Sequence, residues 1–484
     1  MITSAVISTL KPLDAFEENA CVKIDRDLII FWLESFRSGD RSSVKFRRKI
    51  IDTFVSAVWV YDDRLRIAFN YTGKNNTVER EILEELTEKE IAPDVISDAM
   101  INATLDPSTV RISSSKLQRE IARYDMSSIG FTIAPTMDCN MCCPYCYEQK
   151  CDSYMSEETQ NAVVDFIKVH LDAFPNAKVL NIAWYGGEPL MYKEAIYNIS
   201  EKLINICDTH KVSYHAEIIT NGVLLDIETA KKLSKDCRVS RAQVTVDGLG
   251  DYHNKKRILK NGEDSYSIII KNLEAAKEHL QIYVRVNVDK QNADQLEALA
   301  KVFFDEHGWC ENPRLYFAPV ENYENSCITG ETCLNFHEFA KINVNMTKML
   351  YTFNSDATRK ELYPQRYMIH CVAEGRHGYV IDPDGDLYKC WLDIGNKSLK
   401  CGSIDKPFLV TAEYAQWVLI ELPQKCKECE YLPICCGGCA AHRVRNGGEP
   451  YCPHTLYSYK EKLMLAYQDY NAQREKQVIG QAVK

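Results

Sequence analysis

From Ile129 to about Val320 the chain switches between two hydrophobic periods. Short runs alternate apolar with polar residues, as in "IYVRVNVD" (282–289), whereas longer runs space their apolar residues three and four apart, as in "SEETQNAVVDFIKVHLDAF" (156–174). The first period marks strands and the second helices. Six strands are predicted: "IGFTIAP" (129–135), "AKVLNIAWYGG" (177–187), "VSYHAEIITNG" (212–222), "SRAQVTVDG" (240–248), "IYVRVNVD" (282–289) and "RLYFAPV" (314–320). Helices at 156–174, 266–280 and 292–308 are among those predicted between them. This alternation predicts right-handed βαβ units and a parallel sheet, either open or curled into part of a barrel. Functional residues of such sheets gather at the C-terminal ends of the strands.

Beyond this core the pattern is helical. Charged helices are expected over 76–125, a helical bridge over 321–370 that includes "NFHEFAKINVNMTKMLYTF", and a terminal amphipathic helix in "LYSYKEKLMLAYQDYNAQREKQ" that packs on protein. A chain of 484 residues with 45% apolar content is too long for one hydrophobic core, so two or three domains are expected. The opening residues carry no secretion signal and no run is apolar enough to span a bilayer, which predicts a cytoplasmic protein with no membrane partner. A net charge of −10 speaks against a nucleic-acid partner. One basic run, Arg37, Arg41, Lys45, Arg47, Arg48 and Lys49, is an exception and reads as a solvated helix face.

Cysteine changes the picture. The chain has 20, and in a reducing compartment clustered thiols hold metal more often than they form disulfides. Directly after the first predicted strand comes "CNMCCPYC" (139–146), in which Cys139, Cys143 and Cys146 are spaced C-x3-C-x2-C and Pro144 discourages helix. Three thiolates on a four-iron cubane leave one iron open. A tetrahedral zinc site needs a fourth ligand, for which Cys142 and Cys151 are at hand. The triplet read alone leaves cluster, zinc and coincidence open. A second constellation has Cys371, Gly385 and Cys390 spaced C-x13-G-x4-C, then Cys426, Cys429, Cys435 and Cys439 as C-x2-C-x5-C-x3-C, then Cys452. A zinc ribbon built on C-x2-C pairs is the alternative reading. Cys21, Cys207, Cys237 and Cys310 are expected to be plain buried thiols.

The triplet in this place resembles the radical S-adenosylmethionine (SAM) enzymes, whose signature is C-x3-C-x-aromatic-C after the first strand; Tyr145 supplies the aromatic. The resemblance implies an α/β fold, a partial (β/α)6 TIM-like radical SAM barrel. It implies a [4Fe-4S] cluster on Cys139, Cys143 and Cys146, with S-adenosyl-L-methionine on the open iron. "YGGEP" after the second strand is similar to the family's GGE motif, which receives the SAM amino group and here comprises Gly186, Gly187, Glu188 and Pro189. Glycines let a backbone approach a ligand, and a carboxylate accepts from an ammonium; read alone, the stretch is a Gly-rich turn. Thr220 and Asn221, Thr245 and Asp247, and Arg285 and Asn287 resemble the strand-end groups that meet the ribose and carboxylate of SAM. Val320 is expected against adenine.

The second constellation resembles the SPASM extension, a C-terminal iron-sulfur domain with two auxiliary clusters found in radical SAM enzymes that modify peptides or proteins. By that resemblance Cys426, Cys429, Cys435 and Cys452 hold the outer cluster, and Cys371, Cys390 and Cys439 the inner one. No cysteine occurs in "ELYPQRYMIH" before Cys371, so the inner cluster has an open iron unless Cys327, Cys333 or Cys401 supplies the ligand. An open iron suits a substrate thiolate. The domains implied are 1–125, a small α+β N-terminal region; 126–320, the radical SAM core; 321–370, the bridge; 371–455, the SPASM domain; and 456–484, the C-terminal helix.

The function implied is peptide maturation. Reductive cleavage of SAM gives a 5'-deoxyadenosyl radical, which takes hydrogen from a ribosomally made, cysteine-rich precursor peptide, with thioether cross-linking as the outcome. The partners are that peptide and an external electron donor such as flavodoxin or ferredoxin. No catalytic side chain is assigned. The alternatives are an anaerobic sulfatase-maturing enzyme and, more remotely, an iron-sulfur electron carrier. Sulfatase-maturing relatives carry an acidic residue after the second SPASM cysteine, where this chain has Trp391, with Asp393 two further on. Residues 28–71 also resemble a segment near the C-terminus of large serine recombinases, two helices and a hairpin turning at Asp62-Asp63; they are read first as a fragment without a part in the chemistry and second as a recognition module, with 76–125 a candidate remnant of a peptide-docking region.

Overall fold

The computed structural model describes residues 55–60, 64–69, 77–81, 119, 122–322, 331–362 and 368–482, which separate at Gln118–Arg119 into two units. In the first unit, β1 (Val55–Val60), β2 (Arg64–Phe69) and β3 (Thr77–Glu81) form an antiparallel sheet in that order. The hairpin of β1 and β2 lies where the sequence predicts it. The helices predicted before it, and the basic run, lie outside the described residues. β3 occupies a stretch predicted as helix. Its β-branched Thr77 and Val78 pair with Ala68 and Ile67 of β2, and that pairing overrides the helix preference of its glutamates.

The second unit is built on six consecutive parallel strands: β4 (Ser128–Ile133), β5 (Val179–Trp184), β6 (Ser213–Thr220), β7 (Val239–Thr245), β8 (Gln281–Val288) and β9 (Arg314–Pro319). The crossovers run through α1 (Glu157–Ala173), α2 (Lys193–His210), α3 (Ile227–Asp236), α4 (Gly250–Lys256), α5 (Ser265–Ala276) and α6 (Leu296–Lys301), which ends in a π turn. All six predicted strands and the quoted helices are present within a few residues. The period-two pattern has the expected result in β8. Ile282, Val284, Val286 and Val288 are fully buried in the main core, and Arg285 and Asn287 face the opposite side. Helix starts are fixed by side chains that satisfy free backbone N–H groups, Ser156 for α1, Asp226 for α3 and Asp264 for α5.

The sheet continues past the six strands. β10 (Gly378–Ile381) pairs parallel with β4, Gly378 opposite Gly130, and β11 (Asp386–Tyr388) and β12 (Gly402–Ser403) follow antiparallel. The cysteine-rich segment is thereby hydrogen-bonded into the same nine-stranded open sheet, ordered β12-β11-β10-β4-β5-β6-β7-β8-β9. α7 (Phe336–Phe353) and α8 (Ser355–Leu362) are helices between the parallel core and β10, with 323–330 and 363–367 outside the described residues. Short helices α9 (Ala412–Val418) and α10 (Ala440–Arg445) precede the terminal α11 (Thr455–Ala482). α11 packs through small and polar residues: Ala466 and Ser458 are buried and Asp469 takes Arg359 at 2.6 Å, while Met464, Tyr467 and Tyr470 are exposed. No helix among the described residues is long and apolar enough to cross a membrane. Of the thiols expected to be buried, Cys207 and Cys237 are. Cys310 is exposed instead, because its neighbour Trp309 takes the core position beside Phe303; Cys21 lies outside the described residues.

Where α1 ends, His170, Phe174, His377 and Phe408 form an aromatic cluster, with His377 at 4.5 Å from Phe174 and 5.5 Å from His170. Burial pushes His377 down to about 3 and lowers His170. The folded protein therefore holds these imidazoles neutral while the unfolded chain protonates them. Their contribution to stability is complete above the ordinary histidine pKa of about 6.5 and is lost as pH falls towards 3. Thermal unfolding followed between pH 7 and pH 5 should show a falling midpoint, and His377→Phe should flatten that slope.

Candidate active site

The loop after β4 is tied before it delivers its cysteines. Thr136 donates to the Ser153 carbonyl at 2.7 Å and accepts from the Asp138 N–H at 3.0 Å, and Asp138 in turn accepts from the Cys139 N–H at 2.7 Å. A turn then brings the Cys146 N–H onto the Cys143 carbonyl at 3.2 Å. Cys139, Cys143 and Cys146 all line one cavity of about 1090 Å³ that runs along one face of the sheet, from Ser128, His215 and Ser240 near the strand starts to the C-terminal strand ends where the cysteines lie. Burial pushes Cys139 up to about 12 and Cys146 up to about 11. Lys150 answers this. Burial works against its ammonium, but the three thiols around it hold it above the ordinary lysine range.

The turn after β5 presses against that loop. A Cβ on Gly187 would lie 2.2 Å from the Asp138 carbonyl oxygen, and one on Gly186, where φ is +118°, 2.4 Å from that of Thr136. Both glycines are needed for contact with the cysteine loop's own backbone, a nearer reason than approach to a ligand. Glu188 is 1% exposed, and its carboxylate already accepts from the Leu190 N–H at 3.0 Å, the Thr220 hydroxyl at 2.7 Å and the Asn221 N–H at 2.7 Å. It joins the ends of β5 and β6. Pro189 is buried at the start of a short 3-10 helix, behind the cavity wall. Asn221 turns its amide towards the Cys139 sulfur at 3.9 Å.

Tyr145 is the second joint. Its hydroxyl donates to Asp247 and accepts from Arg257 at 2.9 Å and from Asn287 at 3.4 Å. Asp247 is fully buried, with its other oxygen on the Asn287 N–H at 2.9 Å, so it supports Tyr145 from behind the wall rather than facing the cavity. Thr220, Asn221, Thr245, Arg285, Asn287 and Val320 do line the cavity. Arg285 bonds Asn287 at 2.8 Å and is also held by Tyr316, which reaches Gln243 at 2.6 Å. Sequence reasoning missed Arg257, Gln243, Tyr147, Glu148 and Tyr185, all cavity-lining. Tyr147 and Tyr185 share a hydrogen bond, and burial pushes Glu148, bonded to Tyr185, up to about 8. Gln243 was findable, being two residues before Thr245 on the same strand face; Arg257 closes α4 with no local signal.

The second constellation resolves into two groups. Cys371, Cys390 and Cys439 lie within electrostatic reach of one another, as do Cys426, Cys429, Cys435 and Cys452. Cys371 and Cys390 line the same cavity as the first triplet. Cys401 is buried beside Lys389, which also faces Cys371, whereas Cys333 lies near Asp289 and Glu321; Cys327 is outside the described residues. Trp391 faces the cavity, its ring tilted against that of Tyr185 at 4.7 Å and its indole N–H donating to Thr132 at 3.0 Å. Asp393 is buried in an ion pair with Arg445 and does not line the cavity.

These thiols fit iron-sulfur clusters. Three soft donors on one loop, facing a cavity and accompanied by a lysine, suit a cubane with one corner free.

Residues 133–303 match the model of the Radical SAM superfamily. A serine-type anaerobic sulfatase-maturating enzyme of Klebsiella aerogenes is 24% identical over 343 residues, 65% of this chain and 80% of the relative. A cysteine-type anaerobic sulfatase-maturating enzyme of Clostridium perfringens is 22% identical over 380 residues, 71% of this chain and 97% of the relative. The solved structure of anSMEcpe with bound AdoMet and a Cp18Cys peptide has the same fold, with a TM-score of 0.54 at 20% identity over 72% of this chain and 99% of that one. The chain is an enzyme with a radical SAM domain, which uses a [4Fe-4S] cluster and S-adenosylmethionine.

The glycine contact gives a direct test. Gly187→Ala must separate the β5 turn from the cysteine loop, and a displacement near 1 Å costs about 100-fold in rate. Release of 5'-deoxyadenosine, measured chromatographically after anaerobic reconstitution, should fall by about that factor.

Proposed function

We propose that this enzyme matures a ribosomally made, cysteine-rich precursor peptide by forming thioether cross-links. The observation that carries the reading is the shared cavity, with Cys139, Cys143 and Cys146 on one wall and Cys371 and Cys390 on another. A peptide lying in it meets both groups. In this reading the first three cysteines hold the SAM-binding cluster, Cys426, Cys429, Cys435 and Cys452 the outer auxiliary cluster, and Cys371, Cys390 and Cys439 an inner one with a corner left for a substrate thiolate. The radical SAM core is 126–320, the bridge 321–370, the SPASM domain 371–455 and the closing helix 456–484. The N-terminal region, 1–125, is a separate module, and flavodoxin or ferredoxin supplies electrons in the cytoplasm.

When bound, the reduced cluster and SAM supply a 5'-deoxyadenosyl radical that takes a hydrogen atom from the substrate. The protein's own residues hold the parts still. Arg285, pinned by Asn287 and Tyr316, offers a fixed guanidinium to a carboxylate, and Thr245 and Asn287 offer hydrogen bonds on the same face. Tyr145 is kept from rotating by Asp247 and Arg257. Tyr185 and Trp391 roof the cavity with aromatic surface that keeps water out.

The relatives favour a second reading, formylglycine formation on a sulfatase. Against it, the position after Cys390 is Trp391, and the carboxylate of Asp393 is bound to Arg445 away from the cavity. Anaerobic co-expression with a candidate cysteine-rich precursor peptide and, separately, with a sulfatase-derived peptide, followed by mass spectrometry, separates the two. Thioether formation predicts loss of two hydrogens per cross-link, a matching loss of alkylatable thiol and no aldehyde. An aldehyde trapped by hydrazine would instead establish the sulfatase-type reaction. Cys139→Ala should abolish either product, and Cys371→Ala should abolish the product while SAM cleavage persists.

A further inference from the structure

One buried cation lies between the two auxiliary cysteine groups. Arg443 sits in α10, four residues after Cys439, whose carbonyl accepts its backbone N–H at 3.2 Å. Its side chain is 0% exposed and pairs with Glu374 at 2.9 Å. Glu374 is equally buried and takes Arg119 on its other oxygen. Arg443 and Arg119 thus share the one carboxylate of Glu374. The Nε and Nη1 of Arg443 have no protein partner. Buried donors of this kind are normally satisfied, so the pair points to an acceptor outside the protein atoms.

The surroundings say which acceptor. The turn that runs from Cys435 to Cys439 folds over the guanidinium: a Cβ on Gly437, where φ is +84°, would lie 3.7 Å from Arg443 Nε. Cys435 belongs to one cysteine group and Cys439 to the other. The Arg443 charge is also felt by the Cys426 thiol, where it opposes the upward push of burial. A thiolate-ligated cluster there would be an anion rich in sulfur acceptors, and its reduced state carries one more negative charge than its oxidised state.

We propose that Arg443 is a positioning residue for the auxiliary clusters, donating Nε–H and Nη1–H to their sulfur and raising their reduction potential by its charge. This rests on the ligand sets proposed above. Glu374 works in the opposite sense, by offsetting part of that charge. The test is a redox titration of the anaerobically reconstituted full chain with dithionite, followed by electron paramagnetic resonance, with the SAM-binding cluster identified by its response to added SAM.

Arg443→Met should lower an auxiliary midpoint by at least tenfold in the reduction equilibrium, about 59 mV for one electron, and leave the SAM-binding cluster unmoved. Arg443→Lys should recover part of that shift through charge without the fork. Glu374→Gln should move the same midpoint upward. Unchanged potentials in Arg443→Met and Glu374→Gln, at full iron content, would overturn the proposal, as would shifts of the same sign in both. If Arg443→Met fails to hold iron, Glu374→Gln decides alone, a rise supporting the proposal and no change overturning it. A wild-type chain that takes up iron for a single cluster would overturn the ligand sets themselves, and the role of Arg443 with them.

Discussion

A fully buried carboxylate fixes the mouth of this sheet. Glu188 accepts from three donors on two segments, so the turn after β5 and the strand end of β6 cannot drift apart without leaving a charge or its partners unsatisfied. The two glycines before it allow the same turn to lie directly on the cysteine loop. The loop is thereby held from outside as well as by its own Thr136 and Asp138 bonds. The position of the three thiols is a consequence of these backbone contacts, and the cavity takes its shape from them.

The charges around the cavity follow a second logic. Thiols buried this deeply resist ionisation, as the upward shifts of Cys139 and Cys146 show, yet metal chemistry needs thiolates. The chain places cations where they are wanted: Lys150 beside the first triplet, Arg257 beside Cys143, Lys389 near Cys371 and Arg443 among the last group. A net charge of −10 over the whole molecule thus coexists with individual buried cations beside the thiols.

Much of this was legible in the sequence because it is periodic or local. The alternation in β8 separates Val284 from Arg285, and the cysteine spacings sort themselves into the groups that the fold brings together. What the sequence hid is contact between distant segments. The residues in "GGE" are identifiable, but nothing local says that Glu188 is already engaged by Thr220 and Asn221. Asp247 reads as a strand-end ligand group and turns out to hold Tyr145. Arg257 is visible only once α4 is seen to end against that tyrosine. Periodicity misread Thr77–Glu81 because a five-residue strand is decided by its partner, and the burial of Cys310 was misjudged because Trp309 competes for the same space.

β4 is the first strand of the parallel core to leave the ribosome, and its outer neighbour β10 is about 250 residues further along the chain. Until that neighbour arrives, β4 has an unpaired edge next to the loop that carries the first three thiols. The order of synthesis therefore makes completion of the first cysteine site wait on the segment bearing the others. A chain cut short before β10 would present an open strand edge and a half-walled cavity, so the two cysteine regions behave in folding as one object even though they are far apart in sequence.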